Sequence, residues 1–87
     1  MFNKVDWLEF SDSFSDKWVD NDITRKLSEI IKSHDIEKAV WGCIRSDSVM
    51  WLNSRIPMLD KKRPIDLLST EEGRDKIRWI LMSNPWW

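Results

Sequence analysis

The spacing of the apolar residues constrains the fold of this chain more than any other feature. In the stretch 23–33, apolar side chains recur at intervals of three and four residues, which places Ile23, Leu27 and Ile31 on one face of an α-helix. No stretch alternates apolar and polar residues for long, as a half-buried β-strand would. The chain is therefore predicted to be all-α, a compact bundle of four to five short helices.

Eighty-seven residues predict a single domain over 1–87, made of an acidic and aromatic segment with one helix (1–34) and a second part (35–87). Helices are expected near 4–10, 23–33, 36–45, 49–52, 65–68 and 71–82, with His34 at the end of the second. Residues suited to starting helices are Asn21 or Asp22, Asp35, Pro64 and Thr70. Trp41 is expected to point away from the apolar stripe of its helix.

The charge of the chain is small and unevenly distributed. A net charge of −1 and a pI of about 5.8 argue against a protein that binds nucleic acid through phosphate contacts. The first 22 residues carry two lysines against six carboxylates, a net charge of −4, so the remainder carries +3. The two parts are therefore able to attract each other or to divide the contact with a partner.

Several classes of protein are disfavoured by what the sequence lacks. A single cysteine forms no internal disulfide, no signal peptide is visible, and no apolar run approaches the roughly 20 residues of a membrane span, so a cytoplasmic location is expected. Cys43 is predicted to lie on a buried stripe, where a thiol is inert. With one histidine and scattered carboxylates, we expect no metal, no cofactor and no enzymatic activity.

Seven tryptophans and no tyrosine are the unusual part of the composition. Tryptophan is enriched in the central contacts of protein interfaces. Seven indoles exceed what one core of this size easily hides, so the composition favours a function in binding another protein.

The last predicted helix divides its side chains between two faces. Ile77, Ile80 and Leu81 fall on one face, whereas Trp79 lies nearly opposite with Met82 beside it. An exposed aromatic and methionine surface is typical of a contact patch. The alternative is that the aromatic N-terminal segment folds back and covers Trp79.

The segment after this helix contains Pro85, Trp86 and Trp87. A proline-stiffened tail with two indoles is suited to insertion into a partner's pocket. The alternative is that it packs on its own domain or on a second copy in a homodimer. Anchoring at a membrane surface would need more cationic neighbours than the tail has.

Arginines 74 and 78 lie one turn apart on the last helix, near the tail. One interpretation is that Arg74 and Arg78 reach an acidic surface of the partner, and the other is that they form a solvated helix face. The basic run 61–63 is read as an exposed loop, since no glycine-rich turn accompanies it to hold phosphate.

The helices predicted at 23–33 and 36–45 raise the alternative of a helix-turn-helix. A recognition helix presents several base-reading or cationic side chains on its outer face. Here that face offers little beyond Glu37, Lys38, Trp41 and Arg45.

Four sequence pieces in register, over about residues 48–82, resemble the toxin-binding domain of the Xre/MbcA/ParS antitoxins. They are a Trp-Leu pair, a loop ending in leucine, a Pro-Ile-Asp-Leu-Leu turn, and a Thr-Glu-Glu-Gly helix start followed by spaced aliphatic residues. The residues that carry the resemblance are Trp51, Leu52, Leu59, Pro64, Leu67, Leu68, Thr70, Gly73, Ile77 and Leu81. In physical terms these residues build the fold: Gly73, for example, allows close approach of a neighbouring helix.

The resemblance implies a helical, often dimeric domain that blocks a RES-type toxin, an enzyme that consumes NAD, by covering its active site. Many members also carry an N-terminal helix-turn-helix, for which the segment before residue 35 is too short. The family's loop usually has two glycines where Asp60 and Lys61 stand here, so its conformation or its contacts are expected to differ.

The sequence thus predicts an antitoxin-like protein that binds and occludes a partner enzyme through its last helix and tail. Two alternatives stay open. The same fold would also serve a mobile-element or phage inhibitor of another host or defence protein, and residues 23–45 would carry the function of a DNA-binding regulator.

Overall fold

The computed structural model describes residues 3–83. Its helices are α1 (Lys4–Asp12), α2 (Asp22–Ile31), α3 (His34–Ile44), α4 (Ser48–Leu52), α5 (Pro64–Leu67) and α6 (Glu71–Met82). Single 3₁₀ turns lie at Ser15–Lys17, Arg45–Asp47 and Pro57–Leu59. Residues 3–83 contain no β-strand, only an isolated bridge between Ile56 and Lys62. Five helices have five or more residues and α5 is a single turn, so the predicted all-α bundle is confirmed.

The starts of α2, α5 and α6 follow the sequence signals. Asn21 Oδ1 accepts the backbone N–H of Thr24 at 2.8 Å, and Thr24 Oγ1 accepts that of Asn21 at 2.9 Å, which completes a capping box. Thr70 Oγ1 accepts the N–H of Gly73 at 3.0 Å, and Pro64 occupies the first turn of α5. These local predictions are confirmed because each depends only on residues within one helical turn.

The start of α3 was predicted wrongly. Ser33, not Asp35, stands at its N-cap, and His34 is the first residue of α3 rather than the end of α2. Lys32 ends α2 in the left-handed conformation (φ 58°), so the two helices are joined by a very tight turn. The carboxylate of Asp35 is engaged by Trp7 and Arg78.

Trp41, predicted to point away from the apolar stripe of α3, is covered by another segment of the chain. Its side chain is buried (9% exposed), and its Nε1 donates to the backbone oxygen of Lys17 at 2.9 Å. The N-terminal segment packs across this side of α3, with the ring of Phe14 lying directly on Gly42. Helical spacing alone gave no indication of that cover.

Helix α3 is the centre of the bundle and packs against α1, α2, α4 and α6. Every helix contributes a buried apolar residue, which in α5 is Pro64. The fully buried apolar side chains of the core include Leu27, Ile31, Ile36, Val40, Leu52, Ile77, Ile80 and Leu81. A core of this size makes the stability of the small domain sensitive to single contacts.

The loop after Leu59 contains no glycine, but its backbone adopts the positive φ angles that glycine favours. Asp60 and Lys61 both adopt the left-handed region, with φ of 57° and 62°. The turn is closed by hydrogen bonds from Ile56 N to Lys62 O (3.1 Å) and from Lys61 N to Ile56 O (3.0 Å). Two consecutive left-handed residues with side chains are strained, by about 1–2 kcal/mol each.

We therefore predict that Lys61→Gly raises the free energy of unfolding by about 0.5–1 kcal/mol. Relief of the left-handed strain outweighs the greater backbone freedom that glycine has in the unfolded chain. The matched control is Lys62→Gly, where φ is not positive and glycine should destabilise the protein. Urea unfolding measures both, and a loss of stability in Lys61→Gly would contradict the strain argument.

Candidate protein-binding surface

The inner face of α6 is fixed by close packing. Ile77, Ile80 and Leu81 are fully buried there. At Gly73, an added Cβ would overlap the carbonyl oxygen of Leu67 and lie 2.8 Å from its carbonyl carbon. Gly73 therefore sets how closely α6 approaches α5, as the sequence predicted.

The outer face of α6 is one of several places where the structure leaves apolar side chains accessible. Trp79 is 37% exposed, and Met82, one turn further on, is half-buried against the core. The N-terminal segment packs on α3 and α6 without covering Trp79 completely. The predictions for Pro85, Trp86 and Trp87 lie outside the described residues.

Arg78 is held inside the chain by three carboxylates. Its side chain is 12% exposed, and its Nε lies 3.2 Å from Asp35 Oδ2. Its Nη1 lies 2.9 Å from Glu71 Oε1 and 2.7 Å from Asp75 Oδ1. Burial lowers the pKa of Arg78, but the hydrogen bonds to Glu71 and Asp75 outweigh it, so the pKa is above its ordinary value. Arg78 is thus not part of a solvated face.

Arg74 is also used within the chain. Its Nε donates to the backbone oxygen of Leu68 at 2.9 Å, and its Nη1 donates to the hydroxyl of Ser33. The two arginines therefore connect α6 to the end of α5 and to the start of α3. Their contribution to partner binding stays a proposal, since their main contacts are internal.

Asp35 and Trp7 are central to this region, and the sequence did not point to either role. The indole Nε1 of Trp7, which is 1% exposed, donates to Asp35 Oδ2 at 2.8 Å. Burial raises the pKa of Asp35, but the Trp7 hydrogen bond and the charge of Arg78 outweigh it, so the pKa is below its ordinary value. Residues 7, 35 and 78 are far apart in the chain, and no periodic pattern links them.

A cleft of about 290 Å³ opens beside the hydrogen bonds that join Trp7, Asp35 and Arg78, between α1 and the first two turns of α6. Its walls combine an apolar side from α1 with charged side chains from α3 and α6. The lining residues are Lys4, Trp7, Leu8, Asp35, Glu71, Asp75 and Arg78. Four of these residues precede position 38, and the other three belong to α6.

The residues that carried the family resemblance mostly build the interior, as expected. Buried among them are Trp51, Leu52, Leu59, Pro64, Leu68, Gly73, Ile77 and Leu81, whereas Leu67 is half-buried and Thr70 is the exposed cap of α6. Trp51 is 5% exposed, and within residues 3–83 its Nε1 has no hydrogen-bond partner.

The outer face predicted for the second helix of a helix-turn-helix is largely occupied. Glu37 is 5% exposed and accepts a hydrogen bond from Ser28 at 3.0 Å. The amine of Lys38, whose side chain is 12% exposed, lies 3.3 Å from Asp12. With Trp41 buried as well, this face has little left to read bases.

Three features of the described residues bear on thiol reactivity, metal binding and membrane spanning. Burial raises the pKa of the Cys43 thiol to about 11, so it is protonated at neutral pH and poorly nucleophilic. Residues 3–83 bring together no group of three or more His, Cys, Asp or Glu side chains able to hold a metal ion. Nor do they include a helix with the length and apolar character needed to cross a bilayer.

The described residues form a small all-α domain whose last helix carries the partly exposed side chains of Trp79 and Met82. Residues 38–83 match the model of the antitoxin Xre/MbcA/ParS C-terminal toxin-binding domain. The match covers more than half of the chain, so the protein belongs to this family. It begins inside α3 and ends just after α6. Neither a curated protein nor a solved structure matches the chain.

Proposed function

We propose that this protein is an antitoxin-like inhibitor, without catalytic activity of its own, that occludes a RES-type NAD-consuming toxin in the cytoplasm. Family membership supports the toxin-binding role. The single observation that carries the mode of binding is the accessible Trp79 on α6, a helix whose opposite face is fully buried. A half-exposed indole held on a rigid helix is the kind of residue that dominates binding energy in interfaces.

The proposed contact residues are Trp79 and Met82 on α6, together with Pro85, Trp86 and Trp87, which follow α6 in the sequence. Arg74 and Arg78 support this contact surface from within by fixing α6 to the rest of the bundle. A homodimer would leave this surface free only if the two copies met elsewhere, and we propose that they do.

On α3, Glu37 is bound to Ser28 and Lys38 is paired with Asp12, so neither side chain is free to contact DNA. The DNA-binding alternative therefore has no specific observation in its favour. The phage or mobile-element alternative has the same surface and differs only in the target.

The test is co-expression of this chain with the product of the adjacent gene, read out as growth and NAD content. We expect the adjacent product to deplete NAD alone and the intact chain to prevent this. Trp79→Ala should weaken binding by about 2 kcal/mol or more, roughly 30-fold in Kd, and reduce protection. Because Trp79 is partly exposed, the variant should keep its helical content.

The matched control is Met50→Ala, which removes an apolar side chain that is 69% exposed on α4. It should protect as well as the intact chain. Deleting residues 85–87 tests the remaining part of the surface. Full protection by both Trp79→Ala and the truncated chain would show that occlusion does not use this end of the protein, and an adjacent product that is harmless alone would overturn the antitoxin proposal.

A further inference from the structure

The cleft between α1 and α6 has a charge that its own residues do not balance. Three carboxylates, from Asp35, Glu71 and Asp75, surround the single guanidinium of Arg78, and Lys4 at the edge is the other cation. The cleft therefore carries a net charge of −1.

The two carboxylates on α6 also have free acceptor atoms. Arg78 is bound through Glu71 Oε1 and Asp75 Oδ1, whereas within residues 3–83 nothing donates to Glu71 Oε2 or Asp75 Oδ2. Residues 71 and 75 are one turn apart, so the two side chains are neighbours on one face of α6. Their exposed fractions of 74% and 44% leave both accessible.

The α1 side of the cleft contributes apolar surface beside Lys4. Leu8 lines it and is 44% exposed, so its side chain is accessible to an occupant of the cleft. An arginine side chain matches both walls: its methylene stem packs on apolar surface, and its planar guanidinium binds carboxylates through two donors at once. A lysine lacks this fork.

We infer that the cleft receives an arginine side chain presented by the protein partner. The inference rests on the proposed function in one respect, namely that the occupant belongs to a bound protein. The cleft combines Leu8, which precedes the family match, with Glu71 and Asp75, which lie inside it. It would thus let the N-terminal segment add selectivity to a binding domain shared by the family.

The experiment uses the intact chain and a defined probe, the peptide acetyl-Ala-Arg-Ala-amide, followed by amide chemical shifts in NMR. We expect saturable shifts confined to Leu8, Glu71 and their neighbours. The same peptide with citrulline in place of arginine, neutral and nearly isosteric, should bind roughly twofold to fivefold more weakly, as expected for loss of an accessible ion pair. Salt at 0.5 M should weaken the arginine peptide because it screens exposed charges.

Two matched pairs of variants locate the site. Glu71→Gln should weaken binding by roughly twofold to fivefold, whereas Glu72→Gln, at the next residue, also exposed and outside the cleft lining, should not. Leu8→Ala should weaken it, whereas Val5→Ala, 64% exposed and outside the cleft lining, should not. Equal binding of the citrulline peptide, or equal effects within either pair, would overturn the inference.

The peptide titration and the co-expression assay fail independently. Peptide binding without protection from the adjacent gene product would leave the cleft as assigned and refute the antitoxin proposal. Protection without specific peptide binding would support the antitoxin proposal and overturn the assignment of the cleft.

Discussion

Replacing Gly73 with alanine is expected to lower the free energy of unfolding by about 3 kcal/mol or more, enough to lower Tm by roughly 12–24 °C in a domain of this size. The new Cβ would overlap the carbonyl oxygen of Leu67, so the backbone of α5 or α6 must move. Without that clash alanine would favour the helix by up to about 1 kcal/mol. The total stability is expected to be only roughly 4–13 kcal/mol, so the loss is a large fraction of it.

Gly42→Ala is the matched control, because it is also a helical glycine with an obstructed Cβ. There the obstacle is the ring of Phe14, whose Cε1 would lie 2.7 Å away, and a side chain yields more easily than backbone. We expect a smaller loss, relieved by adding Phe14→Ala. No such second change in a side chain should rescue Gly73→Ala. Thermal unfolding measures all of these variants, and equal losses for the two glycines would show that backbone overlap is not what limits α6.

The second large effect is expected at Asp35. Asp35→Ala should cost about 2–3 kcal/mol, because it leaves the buried N–H of Trp7 without an acceptor and removes one of the partners of Arg78. The side chain of Asp35 is 29% exposed, so solvent replaces little of what is lost. Chemical unfolding at neutral pH gives the value, and a loss below about 0.5 kcal/mol would mean that the link contributes little.

The pH dependence of this effect has a defined sign. Because the folded protein lowers the pKa of Asp35, the stability from its charge is present above the unfolded pKa of about 3.9 and is lost as pH falls through the folded value. The stability difference between the intact chain and Asp35→Asn should be constant from about pH 5 to 8 and shrink below about pH 4. A difference that does not change with acid would contradict the lowered pKa.

A comparison of Trp7 with Trp51 tests the donor of the Trp7–Asp35 hydrogen bond. Both indoles are buried, at 1% and 5% exposed, but Trp7 donates to Asp35, whereas within residues 3–83 Trp51 has no acceptor. Phenylalanine removes a similar volume at each position. We expect Trp7→Phe to cost about 1–2 kcal/mol more than Trp51→Phe, since only the first breaks a charge-assisted hydrogen bond.

The features that the sequence predicted correctly are local ones. The caps at Asn21 and Thr70 and the face of Ile77, Ile80 and Leu81 each depend on bonds or spacing within one or two turns. Periodicity shows which face of a helix is apolar. It does not show what covers the rest of that helix.

The features that the sequence missed depend on how distant segments meet. Trp41 was expected outside its stripe and is buried under the N-terminal segment, and Glu37 was expected on an outer face and is buried beside α2. Conversely, Val5 and Leu8 are apolar but exposed, because α1 has no apolar stripe of its own. The cleft, which needs α1 beside α6, could not be predicted for the same reason.

The family match begins at Lys38, in the middle of α3, and that placement bears on how such proteins could be recombined. Just past this boundary, Lys38 reaches Asp12, the indole of Trp41 reaches Lys17, and Gly42 lies under Phe14. A chimera joined at residue 38 would place the junction inside α3. It would also replace the N-terminal segment that covers the indole of Trp41. A chimera meant to keep these contacts therefore calls for a junction ahead of α1, so that α1 and α2 stay with the matched domain.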